Sequence, residues 1–162
     1  MNIVIFGCDN SGKTTLSKVL DSIFGGGYVH SPGPLESVEA MKDFISYNID
    51  KNDVNIFDRF PIIEESTCGI VLRNRNLFDS LDSDYVLNVF NKIDLFIYCR
   101  PDKDSINKWG ERDQMEGIKE NINQLIEAYD SLYRWLCSKH YKVLVYDYNI
   151  NGKFIKYEEV EN

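Results

Sequence analysis

The chain has 162 residues, and its 26 acidic against 18 basic residues leave a formal net charge of −8. This length fits one domain with a sizeable core, which we expect to span residues 1–162. The acidic balance argues against nucleic acid or an anionic membrane as a partner, because both favour a basic protein face. No apolar run approaches the roughly 18 residues that a transmembrane helix needs.

The start of the chain and its cysteines bear on location. A strand-like run follows Met1 directly and leaves no room for a signal peptide. The four cysteines are widely spaced, without a C-x-x-C pair: Cys8, Cys68, Cys99 and Cys137. This spacing favours reduced thiols over a disulfide framework or a metal site, so we expect a cytoplasmic protein.

Short apolar runs alternate along the chain with longer helical patterns, which is typical of βαβ units and a parallel sheet covered on both faces. We predict strands at residues 2–7, 28–31, 53–58, 93–99 and 142–147. We predict helices at residues 13–24, 35–47, 62–73, 83–91 and 117–138. The dipeptide Asn151-Gly152 predicts a tight turn after the last strand.

The most informative motif follows the first predicted strand. Residues 7–14, Gly-Cys-Asp-Asn-Ser-Gly-Lys-Thr, match the pattern G-x-x-x-x-G-K-[ST] at every fixed position. Such a phosphate loop leads into a helix N-terminus, where free backbone N–H groups and the helix dipole bind an anion. We expect Lys13 to reach the β- and γ-phosphates of ATP and the Thr14 hydroxyl to bind Mg²⁺. The predicted nucleotide-binding residues are Gly7, Asp9, Asn10, Ser11, Gly12, Lys13, Thr14 and Thr15.

Together with the alternating elements, this motif predicts an α/β fold of the P-loop NTPase type. We expect a three-layer sandwich, with a five-stranded parallel sheet flanked by helices, and a short lid at about residues 100–117. This segment is rich in charge, as active-site lids often are. Arg112 or Arg100 in the lid could stabilise charge on a transferring phosphoryl group. The alternative is a solvated helix face without a catalytic role.

A second candidate site lies where the third predicted strand ends, at Asp58-Arg59-Phe60. Ligands of open parallel sheets bind at the carboxyl ends of strands, on the rim that the phosphate loop occupies. Asp58 could accept a proton or hold Mg²⁺ through water, and Arg59 could clamp a phosphate. The alternative is an Asp-Arg pair that caps the next helix. Phe60 could stack on a base, and Arg73 could supply a further phosphate cation.

These motifs resemble the thymidylate kinase-like nucleoside monophosphate kinases. Residues 7–15 look like the phosphate loop of that family, whose acidic residue, here Asp9, lies near the acceptor sugar and the metal. Ser31-Pro32-Gly33 resembles its Arg-Glu-Pro-Gly turn, with His30 in place of the arginine. Asp58-Arg59-Phe60 resembles its Asp-Arg-Tyr/His motif, and Gly69 falls where the family places a glycine. Glu111-Arg112 is similar to the lid motif, with shifted spacing.

The resemblance implies a kinase that transfers the γ-phosphoryl group of ATP to a deoxynucleoside monophosphate, assembled as a homodimer. Ser66, Thr67 and Cys68 replace the family's Ala-Tyr-Gln, so the aromatic and amide groups that help read thymine are missing. A dTMP-like or modified pyrimidine nucleotide is therefore the expected acceptor. A compact virus-encoded enzyme, working in the host cytoplasm, would fit these departures.

Two alternatives stay open from the sequence. A deoxynucleoside kinase would phosphorylate a sugar hydroxyl, and Asp9 or Asp58 would then have to take the proton. A nucleotide-binding switch without transfer chemistry is the other alternative, since Asn91-Lys92-Ile93-Asp94 matches the guanine motif Asn-Lys-x-Asp of GTPases. Here that tetrapeptide precedes an apolar run instead of following one, which favours a helix end that enters a strand.

Overall fold

The computed structural model describes residues 1–75, 77, 81–108 and 116–151. Its strands are β1 (Asn2–Phe6), β2 (Gly27–His30), β3 (Asn55–Asp58), β4 (Leu95–Cys99) and β5 (Val143–Tyr146). Its helices are α1 (Lys13–Phe24), α2 (Val38–Asn48), α3 (Pro61–Glu64), α4 (Ile70–Arg73), α5 (Ser83–Phe90), α6 (Lys103–Ile106) and α7 (Ile122–Ser138), with a π-helical turn over Glu65–Gly69 between α3 and α4. Of the described helices, none is both long and apolar enough to span a lipid bilayer.

The five strands form one sheet in the order β2-β3-β1-β4-β5, and every pairing is parallel. All five residues of the central strand β1 are buried. Its side chains alternate between two apolar clusters: Val4 and Phe6 belong to one, and Ile3 and Ile5 belong to the other, with Leu16 of α1. Helices therefore cover both faces of the sheet, and the predicted three-layer α/β fold is confirmed.

Two predicted helices begin later than the sequence pattern suggested. The helix predicted from residue 35 begins at Val38, because Ser37 caps it by accepting a hydrogen bond from the Ala40 N–H at 3.1 Å. The long helix predicted from residue 117 begins at Ile122, and residues 116–121 form turns. Gly117 has a φ of +82°, which interrupts a right-handed helix at this point.

The remaining differences concern the third helix and the lid. The helix predicted at 62–73 is divided into α3, the π-helical turn and α4. The first part of the predicted lid forms the short helix α6, and residues 109–115, with the candidate Arg112, lie outside the described residues. Gly152 of the predicted terminal turn lies outside them as well.

Phe60 belongs to the core and does not stack on a ligand. Its side chain is fully buried, packs edge-on against Phe57 with 5.2 Å between ring centroids, and also contacts Phe90. The prediction that Phe60 provides a base-stacking face is therefore wrong, since no surface of its ring is exposed to a ligand. An aromatic residue directly after a strand-end motif can point either way, and here the apolar cluster buries it.

Replacing Phe60 with alanine should lower the free energy of unfolding by about 3–5 kcal/mol, because the change removes a whole buried ring from the core. Urea denaturation followed by circular dichroism measures this loss. The matched control is Phe24→Ala at the end of α1, where the ring is 47% exposed and a change within about 1 kcal/mol is expected. Equal losses in the two variants would contradict the core assignment of Phe60.

Candidate functional site

The phosphate loop turns sharply between β1 and α1. Gly7 has a φ of +140° and Gly12 a φ of +86°, which L-residues rarely adopt. A side chain at position 7 would also overlap the carbonyl oxygen of Cys99 in β4. Helix α1 begins after Gly12 with no side-chain cap, so its first N–H groups are left to bind an anion.

A cavity of about 200 Å³ lies over this loop, and we call it the loop cavity. Its lining consists of Asp9, Asn10, Ser11, Gly12, Lys13, Thr14, Thr15 and Arg59. The structure thus brings together all the predicted nucleotide-binding residues except Gly7, which shapes the turn. The Lys13 side chain is 5% exposed; its Nζ donates to the Cys8 carbonyl oxygen at 2.5 Å and lies 3.8 Å from Asp9 Oδ1.

Asp58 connects the phosphate loop to two neighbouring strands. This residue is fully buried at the end of β3. Its Oδ2 accepts hydrogen bonds from the Thr14 hydroxyl at 2.7 Å and from the Tyr28 hydroxyl at 2.8 Å. Burial and the bond to Asp58 both raise the pKa of Tyr28, so this hydroxyl stays protonated and donates. His30, whose side chain is 55% exposed, places Nδ1 at 3.4 Å from the same oxygen.

These residues fit a bound Mg²⁺. The proton of Thr14 is directed to Asp58, which leaves the lone pairs of its oxygen for a cation. Asp58 Oδ1 is a buried acceptor to which no group in the described part of the chain donates a hydrogen bond, as expected of a carboxylate that holds metal-bound water. Within the described ranges, no three His, Cys, Asp or Glu side chains are grouped to hold a metal by themselves. The other ligands would therefore be water and phosphate oxygens, which Mg²⁺ prefers.

Arg59 lies between the loop and the next helix. Its backbone has a φ of +72°, and its N–H donates to the Ile5 carbonyl oxygen at 3.1 Å. The guanidinium binds Asp9 Oδ1 through Nη2 and Glu64 Oε2 through Nη1, the latter at 2.9 Å. Burial lowers the pKa of Arg59, but the Glu64 and Asp9 carboxylates together raise it further, so the group stays charged.

Glu64, at the end of α3, is a site residue that sequence reasoning missed. Its Oε2 accepts from Arg59, and its Oε1 accepts from the Tyr129 hydroxyl of α7 at 3.0 Å. A glutamate five residues after Arg59 carries no signal of its own. The contact with Tyr129 joins positions 65 residues apart, which no local pattern reveals.

A second cavity of about 280 Å³ adjoins the loop cavity, and the two share Thr14 and Arg59. The lining of this second cavity consists of Thr14, His30, Ser31, Pro32, Gly33, Pro34, Arg59, Glu64, Cys68 and Arg73. The predicted substrate residues His30, Arg59 and Arg73 all lie here, while Asp9 lines the loop cavity. Ser31 is buried, and its hydroxyl has no hydrogen-bond partner among the residues that the structure describes.

Arg73, in the lining of the second cavity, is held by a buried carboxylate of the π-helical turn. Glu65 is 2% exposed; its Oε1 binds Arg73 Nη2 at 2.9 Å, and its Oε2 lies 3.7 Å from Arg75 Nε. A side chain on Gly69 would lie 2.8 Å from Glu65 Oε2, closer than carbon and oxygen allow. The glycine singled out in the sequence therefore leaves room for this ion-pair cluster.

Arg100 does not serve the loop cavity. Its Nε donates to Asp130 Oδ1 at 2.9 Å, and Tyr98 donates to the same oxygen at 2.6 Å. The hydrogen bond with Asp130 raises the pKa of Arg100, as expected of a structural ion pair. Arg100 is absent from the lining of both cavities, so its prediction as a charge-stabilising residue is wrong in this structure.

The GTPase-like tetrapeptide lies at the amino ends of the strands, whereas the phosphate loop lies at their carboxyl ends. Asn91 and Lys92 form the turn after α5, and Asp94 directly precedes β4. Asp94 Oδ2 accepts a hydrogen bond from the Asn2 N–H at 2.7 Å, which ties the starts of β1 and β4 together. The motif therefore stabilises the sheet, and the interpretation as a helix end entering a strand is confirmed.

Cys8, inside the phosphate loop, is expected to be unreactive. Burial raises the pKa of the Cys8 thiol to about 12, and burial also raises that of Cys68 to about 11 and that of Cys99 to about 12. The thiolate is the reactive form, so these three groups react slowly near neutral pH. Cys137 is exposed, and none of the four cysteines forms a disulfide.

In the native protein, iodoacetamide at pH 8 should therefore modify one thiol quickly and the other three only after unfolding. Mass spectrometry of the labelled peptides identifies which cysteine reacts. The Cys137→Ser variant is the control and should lose the fast phase. Fast labelling of Cys8 in that variant would contradict its burial and its raised pKa.

Comparison of the sequence with protein-family models and with curated proteins finds no match. The fold, in contrast, matches solved structures. The YorR protein from Bacillus subtilis, in complex with phosphorylated GDP, has a TM-score of 0.76 at 16% identity, over 96% of this chain and 92% of its own. Deoxyadenosine kinase from M. mycoides, with the products dCMP and dCDP, has a TM-score of 0.59 at 18% identity, over 96% and 94%. Thymidylate kinase from Candida albicans has a TM-score of 0.57 at 15% identity, over 89% and 82%. This chain therefore shares its α/β fold with these three proteins.

Proposed function

We propose that this protein is a deoxynucleoside monophosphate kinase, which transfers the γ-phosphoryl group of ATP to the 5′-phosphate of a dTMP-like or modified pyrimidine nucleotide. The observation that carries the proposal is the pair of adjoining cavities that share Thr14 and Arg59. One cavity suits a triphosphate at a helix N-terminus, and the other suits a second nucleotide next to it. Matches to a deoxyadenosine kinase and a thymidylate kinase support this interpretation.

On the donor side, phosphoryl transfer needs positioning and charge neutralisation more than covalent chemistry. The phosphate-loop N–H groups and Lys13 would hold the β- and γ-phosphates. Thr14 would bind Mg²⁺ directly and Asp58 through water, and the ion would neutralise charge on the phosphate oxygens when bound. Arg112, which lies outside the described residues, is proposed to add positive charge to the transferring group.

On the acceptor side, the state of the carboxylates favours a monophosphate over a sugar hydroxyl. Glu64, which lines the second cavity, has one oxygen bound to Arg59 and the other to Tyr129. A hydroxyl acceptor needs a base, whereas both oxygens of this carboxylate already accept hydrogen bonds within the protein. A phosphate acceptor is already an anion and needs none. This difference separates the proposal from the deoxynucleoside kinase alternative.

Each polar group of the second cavity then has a place in acceptor binding. Arg59 would orient the acceptor phosphate from the junction of the cavities, with Arg73 as a second cation. Asp9, which lines the loop cavity, would reach the acceptor sugar from that side, as the family resemblance implies. His30 and the buried Ser31 hydroxyl would supply further polar contacts. The homodimer and the cytoplasmic location remain proposals from the sequence.

The direct test is ADP release from ATP and Mg²⁺ with a panel of deoxynucleosides, deoxynucleoside monophosphates and ribonucleoside monophosphates. We expect turnover with one or more deoxynucleoside monophosphates and none with the nucleosides. Turnover with nucleosides alone would favour the deoxynucleoside kinase alternative. Nucleotide binding without ADP release on any acceptor would favour the non-catalytic alternative.

The Lys13→Ala variant should lower kcat by about 10²–10³-fold, the usual effect of losing one group that stabilises the transition state. The same ADP-release assay measures this loss. Lys18→Ala is the matched control, because Lys18 is an exposed lysine on the same helix α1. Retained turnover in Lys13→Ala, or an equal loss in Lys18→Ala, would contradict the assignment of the phosphate loop.

The Arg59→Lys variant should raise the KM for the acceptor by about 10-fold or more and the KM for ATP much less. Lysine keeps the charge but loses the planar fork that binds Asp9, Glu64 and a phosphate together. Steady-state kinetics with each substrate varied in turn separate the two constants. An equal rise in both would contradict the acceptor role of Arg59.

A further inference from the structure

The long helix α7 carries one hydroxyl group that reaches the functional site. Tyr129 is 1% exposed, and its ring packs against Phe6 of β1 with 6.4 Å between centroids. Its hydroxyl donates to Glu64 Oε1 at 3.0 Å and lies 3.4 Å from Cys68 Sγ. Burial raises the pKa of Tyr129 well above its ordinary value, so the phenol is protonated near neutral pH and can donate.

Glu64 connects Tyr129 to Arg59, which lines both cavities. Its side chain is 13% exposed, and its two oxygens bind different partners: Oε1 binds Tyr129, and Oε2 binds Arg59. A carboxylate held at both oxygens cannot rotate without losing a bond in a partly desolvated position, where charged hydrogen bonds are strong. The hydroxyl of Tyr129 therefore fixes the oxygen that Arg59 binds.

Arg59 depends on this support because two carboxylates compete for it. Asp9 binds Nη2 from the phosphate loop, and Glu64 binds Nη1 from α3. Asp9 also lies 3.8 Å from Lys13 Nζ, so a guanidinium held by Asp9 alone would follow the loop. The ion pair with Glu64 keeps Arg59 at the junction of the two cavities.

We propose that Tyr129 is a positioning residue for the reaction: through Glu64 it holds the Arg59 guanidinium at the acceptor phosphate. Packing alone does not account for the hydroxyl. A phenylalanine would make the same ring contacts, and a buried hydroxyl costs free energy unless it is hydrogen-bonded. The bond to Glu64 compensates that cost and links the core of the protein to the site.

The first experiment measures the position of Arg59 without relying on the proposed function. NMR of the ¹⁵N-labelled protein without nucleotide reports the guanidinium ¹⁵N–¹H signals, assigned with Arg59→Lys. Tyr129→Phe should shift these signals and speed their exchange with water several-fold, and Glu64→Gln should shift them as well. The matched control is Tyr141→Phe, whose ring packs against Phe90 and Phe96 and lines neither cavity.

The second experiment is kinetic and rests on the proposed function. Tyr129→Phe should raise the acceptor KM by roughly 10- to 100-fold, as expected of a displaced positioning group, with the KM for ATP nearly unchanged. On the Glu64→Gln background the same change should add almost nothing, because the two residues act as one unit. Tyr141→Phe should leave both constants unchanged.

The outcomes separate the two proposals. A wild-type protein that phosphorylates no acceptor overturns the proposed function, while the NMR comparison still decides the position of Arg59. Unchanged Arg59 signals in Tyr129→Phe would overturn the positioning role, whatever Glu64→Gln shows. Equal kinetic losses in Tyr129→Phe and Tyr141→Phe, or additive effects of Tyr129→Phe and Glu64→Gln, would overturn it as well.

Discussion

The parallel pairing of β1 with β3 is the constraint on which the site depends. In this register Ile5 lies opposite Asp58, and the Arg59 N–H donates to the Ile5 carbonyl oxygen. The phosphate loop leaves β1 two residues after Ile5, so the loop and the Asp58-Arg59 pair emerge side by side. A shift of one residue would turn Asp58 away from Thr14, because strand side chains alternate between faces. The hydrogen bond from Thr14 to Asp58 therefore reflects the register of the whole central sheet.

Charge compensation shapes the rim of the sheet. The chain carries a net charge of −8, yet cationic groups converge on the two cavities, each beside a carboxylate: Lys13 beside Asp9, Arg59 beside Asp9 and Glu64, and Arg73 beside Glu65. Carboxylates hold these cations in place before a ligand arrives, so less reorganisation is needed when a phosphate binds. An acidic protein can thus present a locally cationic surface to an anionic ligand, because local geometry and not net charge sets the field in the two cavities.

Local patterns predicted those parts of the site that are contiguous in sequence. The phosphate loop is one short segment between a strand and a helix, and its residues from Asp9 to Thr15 all line the loop cavity. The site at the end of β3 was found because parallel strands end on a common rim, and the end of β2 was found through the family resemblance. Glu64 and the role of Tyr129 could not be found in this way, because their contact joins distant positions. Phe60 and Arg100 were misassigned because tertiary packing decides both the burial of Phe60 in an apolar cluster and the pairing of Arg100 with Asp130 of α7.

The irregular helix after β3 explains how two adjacent acidic residues serve different purposes. Glu64 ends α3 and faces Arg59 and Tyr129, whereas Glu65 begins the π-helical turn and faces Arg73 and Arg75. A π-helical turn widens the backbone and changes the direction of successive side chains, and such turns are frequent at functional sites. Because Gly69 has no side chain, the Glu65 carboxylate has room beside it and pairs there with Arg73 and Arg75. Part of the lining of the second cavity therefore lies on helices next to α7, which gives Glu64 and Arg73 positions more precise than an exposed loop could provide.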